Sequence, residues 1–348
     1  VSYLSAANVA ALAPKVFAGL AAGALTVSGD VVSAVASNNY IAGLTEDNLA
    51  SVSSAQLAAL SSTQIGALAF NDDLKYVPVK ALAGLTKTNI LGLDLSKLTG
   101  DGQFEALTPA QFAAIADSGL AKFGADQAAA ITSAQIKTLD ATDFLALGVD
   151  AITALSPAAI AAIPSAAFAS ITTAAFALFT PAQVAAMTPA QLSQMANTSG
   201  SDGQTVAFGP DQAAALTSKQ VVKIVAADAV SFTSDAIPAI KAAAIGSLDL
   251  SSFTSTEVAY LTATQAPAIT SKQIAALDDS ADTSGLTADF VAALTPTAFK
   301  GFTGTNAGAT TQGIPSLTTD AVAVITTAQL AALSTTQIES FSQKQVNN

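Results

Sequence analysis

Large apolar residues recur every eight positions from Leu107 to Met195, through Ile115, Phe123, Ile131, Leu139, Leu147, Leu155, Ile163, Ile171, Phe179 and Met187. A second apolar set lies three residues before each: Phe112, Leu120, Ile136, Phe144, Ile152, Ile160, Phe168, Phe176, Val184 and Leu192, with Ala128 as the one small member. A fixed short period marks a repeat architecture. The unit is clearest in Thr180-Pro-Ala-Gln-Val-Ala-Ala-Met187 and Thr188-Pro-Ala-Gln-Leu-Ser-Gln-Met195. Numbered from its Thr or Ser, the octad carries polar residues at position one, often Gln at four, and large apolar residues at five and eight.

Each octad reads as a helix start. Thr or Ser followed three residues later by Gln has the spacing of a capping box, in which hydroxyl and amide side chains satisfy orphan backbone N–H groups. Proline at position two (Pro109, Pro157, Pro181, Pro189 and Pro296) suits the first helical residue. In a continuous helix the same ring would clash with the carbonyl four residues back. An eight-residue period with apolar steps of three and five also drifts around a helix of 3.6 residues per turn. The pattern therefore predicts one or two helical turns per octad, followed by a corner. The expected class is all-α in the main, a solenoid or superhelix of short helical octapeptide repeats. A β-solenoid is the alternative, because Thr, Val, Ile and Phe also suit strands. Strict alternation is missing and Ala is the commonest filler, which favours helix.

The period extends well beyond its strict core of 107–195, so a single elongated repeat body over 1–348 is expected. Inserts interrupt it near 21–43, 69–84, 94–106, 196–207, 278–285 and 303–316, and are read as surface loops. The most apolar window, Ala158 to Met187, has the length of a membrane span. Ser, Thr and Pro interrupt it on the octad schedule, so the repeat explains it better and a membrane-spanning chain is not expected. The sequence opens at Val1 without Met and shows no targeting segment, which reads as a processed product or a piece of a longer chain.

Composition narrows the function classes. All 13 basic residues are Lys, His and Cys are absent, and the formal net charge is −12. An acidic surface is a poor partner for nucleic acid or an anionic membrane. Without His or Cys, a histidine-based triad, thiol chemistry and a His- or Cys-ligated metal are excluded. The four glutamates (Glu46, Glu105, Glu257 and Glu339) sit in or beside ordinary octads. They read as solvated charge rather than the paired carboxylates of a glycosidase. No enzyme is expected. Asp72 with Asp73, Asp278 with Asp279 and Asp282, and Asp101 and Asp202 in Gly-rich turns are the candidate metal ligands, for structural calcium through oxygen. None has the EF-hand spacing, so plain Asp turns are the competing reading. Phe112, Phe144, Phe168, Phe176 and Phe179 fall on inward places and are expected in the core. The position-four Gln reads as a capping residue first, and a ladder of such Gln as a binding surface second.

The units Leu107-Thr-Pro-Ala-Gln-Phe-Ala-Ala-Ile115, Ile269-Thr-Ser-Lys-Gln-Ile-Ala-Ala-Leu277 and Ile325-Thr-Thr-Ala-Gln-Leu-Ala-Ala-Leu333 resemble the Leu-Thr-x-x-Gln-Leu/Ile-x-Ala-Leu arrays of large bacterial exoproteins, adhesin-like or haemagglutinin-like. The resemblance covers about two thirds of the chain by inspection of its octads. It implies export to the bacterial surface and carries over no catalytic residue. Stacked repeats leave an apolar end that isolated solenoids cover with polar caps. The octad runs here from Leu4 to Phe341 with no such cap, so the expected function is a structural protein of the cell exterior. It would assemble with itself, head to tail, into a filament, sheath or surface layer. The alternative is a surface adhesin binding a host or surface ligand through its inserted loops.

Overall fold

The computed structural model describes residues 49–347, apart from 51, 60–61, 63–64, 67–72, 96–97, 99–101, 116–119, 122, 198–205, 225–229, 252, 281–282 and 303–312. The expected insert at 21–43 lies outside the described residues. The protein is mostly helical, and its helices are very short. Pro181–Ala186 and Ser133–Ile136 are representative, and the longest described, Ser271–Ser280, has 10 residues. Helices this short are marginal in isolation. Two local devices and a shared core sustain them.

The first device is the cap. Thr108, Thr132, Thr180, Thr254, Thr326, Ser334 and Ser342 each make both halves of a capping box. At Gly124 and Gly209, which have no side chain, only the return arm from Gln127 or Gln212 forms. The second device is the corner. Position eight leaves the helix extended, with ψ 138° at Met187, and position one is extended too, with ψ 156° at Thr180. Two extended residues in succession re-aim the chain before the next helix. The position-eight N–H still bonds the position-five carbonyl, as Met187 does to Val184 at 3.1 Å.

The chain divides into two compact units, Val1–Ala167 and Phe168–Asn348. In each, positions five and eight line the core. All the described apolar positions of the strict run are buried, and Phe112, Ile136, Ile160, Phe176 and Val184 are wholly so. The five expected core phenylalanines are among them. Aromatic rings pack edge to face: Phe104 with Phe123 at 5.2 Å in the first unit, Phe176 with Phe208 at 5.0 Å in the second. Strand pairing among the described residues is confined to β1 (Val206–Phe208) and β2 (Val230–Phe232). These run parallel, with Val206 opposite Val230 and Phe208 opposite Phe232. Phe208 and Phe232 hold position eight of octads three apart, and their rings stack at 5.5 Å.

Two expected interruptions turn out to carry the repeat. In 69–84 the described part is two short 3-10 helices, Asp73–Tyr76 and Val79–Gly84, and Leu74, Val77, Ala81 and Leu82 are buried in the octad's own places, as is Leu85 just beyond. Pro78 stands at position one, where its extended ψ of 137° suits the corner. In 94–106, Leu95, Leu98, Gln103 and Phe104 are all buried. The stretch 278–285 also departs from a simple loop. Asp278 and Asp279 prolong the helix that begins at Ser271, and Thr283 is buried in a short 3-10 turn, Thr283–Gly285. Thr283 bonds the Ser316 hydroxyl and the Gly313 carbonyl. Among the described residues no helix is long and apolar enough to cross a membrane. The window 158–187 is instead four short helices.

Candidate functional site: a glutamine clamp between octads

Position four is the place where sequence reasoning fell short. It mostly faces inward, and it holds Ala or Gln at most octads: Ala159, Ala167 and Ala175 are buried, and so are Gln111, Gln135, Gln183, Gln191, Gln220, Gln265, Gln273, Gln329 and Gln345, while Asn89 and Phe290 are buried at the same place. A buried amide must find partners for one acceptor and two donors. Gln135 shows how. Its Oε1 accepts from the Thr132 backbone N–H at 2.8 Å and the Thr132 hydroxyl at 2.9 Å, which closes the capping box. Its Nε2 donates to the carbonyls of Phe104 at 3.0 Å and Leu107 at 2.8 Å. Those carbonyls, at positions five and eight, belong to the C-terminal turn of another octad; that of Phe104 already accepts from the Leu107 N–H and takes the amide as a second donor. One side chain thus caps the start of its own helix and the end of a distant one.

The same fork recurs in both units. Gln111 bonds Leu82 and Leu85; Gln220 bonds Val184 and Met187; Gln265 bonds Ile237 and Ile240; Gln329 bonds Val291 and Leu294. Gln345 bonds Ile314 and Leu317, and Asn89 reaches Leu57 with one arm. At Gln337 the fork slides to Lys300 and Phe302. Gln103 donates to Leu74 and Val77, but its buried Oε1 has no partner among the described residues. Its N-cap would be residue 100, outside the described residues.

The intervals between partners measure the repeat. From Gln135 to the position-five carbonyl of Phe104 is 31 residues, the distance of four octads less one residue, so that three whole octads lie between the partners. Gln345 to Ile314 repeats it. The interval widens to 36 at Gln212 and Gln220 and to 38 at Gln329, where residues are inserted, and shrinks to 28 at Gln265 and Gln273, where the register slips. The clamp is the same in every case. Insertions and deletions are absorbed between helices, and three octads separate the partners throughout.

Glycine permits a second, closer contact, between octads three apart in the chain. A Cβ on Gly84 would lie 1.8 Å from the Ser54 carbonyl oxygen, and one on Gly92 1.7 Å from that of Ser62. Gly285 and Gly301 approach Ser255 and Ser271 in the same way. Each is a backbone-to-backbone approach that no side chain permits.

The candidate calcium ligands are not tested by this geometry. Asp72, Asp101, Asp202 and Asp282 lie outside the described residues. Asp73 begins the short helix Asp73–Tyr76 and Asp278 with Asp279 ends Ser271–Ser280, with only their backbone described. No group of three or more acidic, His or Cys side chains that could hold a metal forms among the described residues. Glu105 and Glu339 are exposed on the surface, Glu257 serves as the return arm of the Thr254 box, and Glu46 lies outside the described residues. A groove of about 310 Å³ bordered by Val222, Ser247, Asp249, Thr270 and Lys272 offers one carboxylate and one amine, with no nucleophile paired to a base. No protein-family model and no curated protein matches the chain. What the described side chains can do chemically is hold one octad to another.

Proposed function

We propose that the chain is a structural repeat protein of the bacterial exterior. In this reading it is a helical solenoid with three octads per coil, and copies stack end to end into a filament, sheath or surface layer. The observation that carries the reading is the constancy of the clamp. In a stacked repeat each unit contacts only its neighbours. An interface that is the same at every step within a chain can be continued by another chain bearing the same octads, as a heterologous contact that does not close. The absence of His and Cys and the acidic, Arg-free composition fit a scaffold rather than a catalyst. The resemblance of the octads to exoprotein arrays supports the bacterial surface as the location.

A second reading, an adhesin, draws on the widened clamp intervals. It would use the inserts near 196–207, 278–285 and 303–316 as its recognition surface, and the clamps of Gln220 and Gln329 form across the first and last of these stretches.

Negative-stain electron microscopy of the purified chain, with and without EDTA, tests the first reading. Rods or sheets of variable length are expected. Single particles, monomeric by light scattering at every concentration, would overturn it and favour the adhesin. Rods that dissolve in EDTA would assign calcium to the aspartate clusters; rods that persist would remove it.

A further inference from the structure

Charge in the second unit is sorted by octad. Octads 209–216, 233–240 and 254–261 carry Asp211, Asp235 and Glu257 and no Lys. Octads 217–224 and 241–248 carry Lys219, Lys223 and Lys241 and no acid. All six side chains are exposed.

The fold turns this sorting into two sides. Octads three apart pack together, helix Pro210–Ala215 against Ala236–Ala239 and helix Ser218–Ile224 against Ala242–Ile245. The Ser218 hydroxyl also donates to the Ala243 carbonyl at 2.7 Å. Asp211 and Asp235, both at position three, therefore share one side of the unit, and Glu257 follows three octads on. The lysines share the next side. Lys219 and Lys223 stand four apart on one helix, where like charges repel. With 25 acidic residues against 13 Lys the chain has acids to spare, yet among the described residues none of these six groups is ion-paired. Their neighbours are mostly Ala, Ser, Thr and Pro, so two such sides can approach closely. Val222 on the basic side and Tyr260 on the acidic side add exposed apolar surface. A flexible polyanion could neutralise the lysines, but another copy brings acids at the same coil spacing, because one repeat sets both.

We propose that the acidic side of one copy, carried by octads 209–216, 233–240 and 254–261, docks on the basic side of a second copy, carried by octads 217–224 and 241–248. The two surfaces differ, so the contact is heterologous and joins copies side by side. It does not depend on the end-to-end stacking proposed above. Combined with stacking, it makes a sheath or a layer rather than a single filament.

Three variants test the contact by sedimentation velocity over a concentration series: K219E/K241E, D211K/D235K, and the chain with all four changes. The side chains are exposed, so circular dichroism should be unchanged; where a reversal impairs folding, K219Q/K241Q replaces it. Wild type is expected to associate at low ionic strength and to dissociate toward about 1 M salt, where the Debye length is about 3 Å. Each double variant should need at least about tenfold higher concentration to associate. The quadruple variant, whose net charge equals that of wild type, should associate again. So should a mixture of the two double variants, because each supplies the side the other lacks. Double variants that associate like wild type overturn the inference, and so does a quadruple variant as weak as they are. Association that neither salt nor the substitutions change belongs to end-to-end stacking and overturns this contact alone. A wild type that stays monomeric but sediments faster with added poly-L-glutamate also overturns it, and gives the lysines to an acidic polymer.

Discussion

The choice between Gln and Glu at position four is the sharpest residue-level test. Either side chain can return to the N-cap amide, and Glu257 does so at 2.8 Å from the Thr254 N–H. Only Gln can also donate. A Gln135→Glu variant keeps its cap but turns carboxylate oxygens toward the Phe104 and Leu107 carbonyls, burying a charge among acceptors. It should cost about 3–5 kcal/mol in a chemical denaturation series at pH 7. Gln135→Ala should cost about 1–3 kcal/mol, because Ala fits this place elsewhere and what is lost is two hydrogen bonds and some volume. The two variants also separate by pH. Burial raises the folded-state pKa of the new carboxyl above its unfolded value of about 4.3. Protonation then favours the folded state, so the Glu deficit is largest at pH 7 and shrinks as pH falls through the folded pKa toward 4. The Ala deficit should not move with pH. Positions five and eight were legible in the sequence because their periodicity is local, and so was the capping box. The long arm of Gln135 was not, because a contact 28 to 31 residues away has no signature in its own octad. The repeated use of Gln where Glu would cap equally well was the one signal available.

At the scale of the element, the octad tolerates change at its corner and not along its helix. The clamp survives intervals of 28 to 38 residues, and the added or missing residues lie between helices. Five Gly and Ser residues inserted after Leu139, between position eight and the next octad, should lower the thermal midpoint by only a few degrees, since loop-closure entropy grows slowly. The same five residues inserted after Gln135 separate the clamp from the apolar pair Ile136 and Leu139, and should abolish cooperative melting of the first unit. Glycines divide in the same way. Gly84→Ala or Gly92→Ala drives a methyl into a backbone carbonyl and should destabilise by about 1–3 kcal/mol. Gly209 has open space around it and an ordinary φ of −78°, so Gly209→Ser should be neutral or gain a few tenths of a kcal/mol as a better N-cap. The polar look of Asn71 to Lys80 and of residues 99–103 suggested breaks in the repeat. Composition misled there because the buried places are few, and Val77, Leu82 and Gln103 are enough to hold them.

At the scale of the whole molecule, stability should be graded along the chain. In a stacked repeat an interior octad is held from both sides, and a terminal one from a single side. Octads 326–347 are clamped backward through Gln329, Gln337 and Gln345, but Leu330, Ile338 and Val346 gain little from burial. Amide hydrogen exchange on the dilute monomer should therefore show least protection over 326–347 and most over 253–302, where Val258, Ile274, Val291 and Phe299 are fully buried. The difference should be about 10- to 100-fold in rate, the worth of about 1.4–2.8 kcal/mol of missing neighbour contacts. Raising the concentration gives the second half of the measurement. If copies stack end to end as proposed, protection of 326–347 should climb toward that of 253–302, which itself hardly changes. Equal protection of both regions in the dilute monomer would mean that the backward clamps alone hold the last octads. Assembly would then add recognition without adding stability.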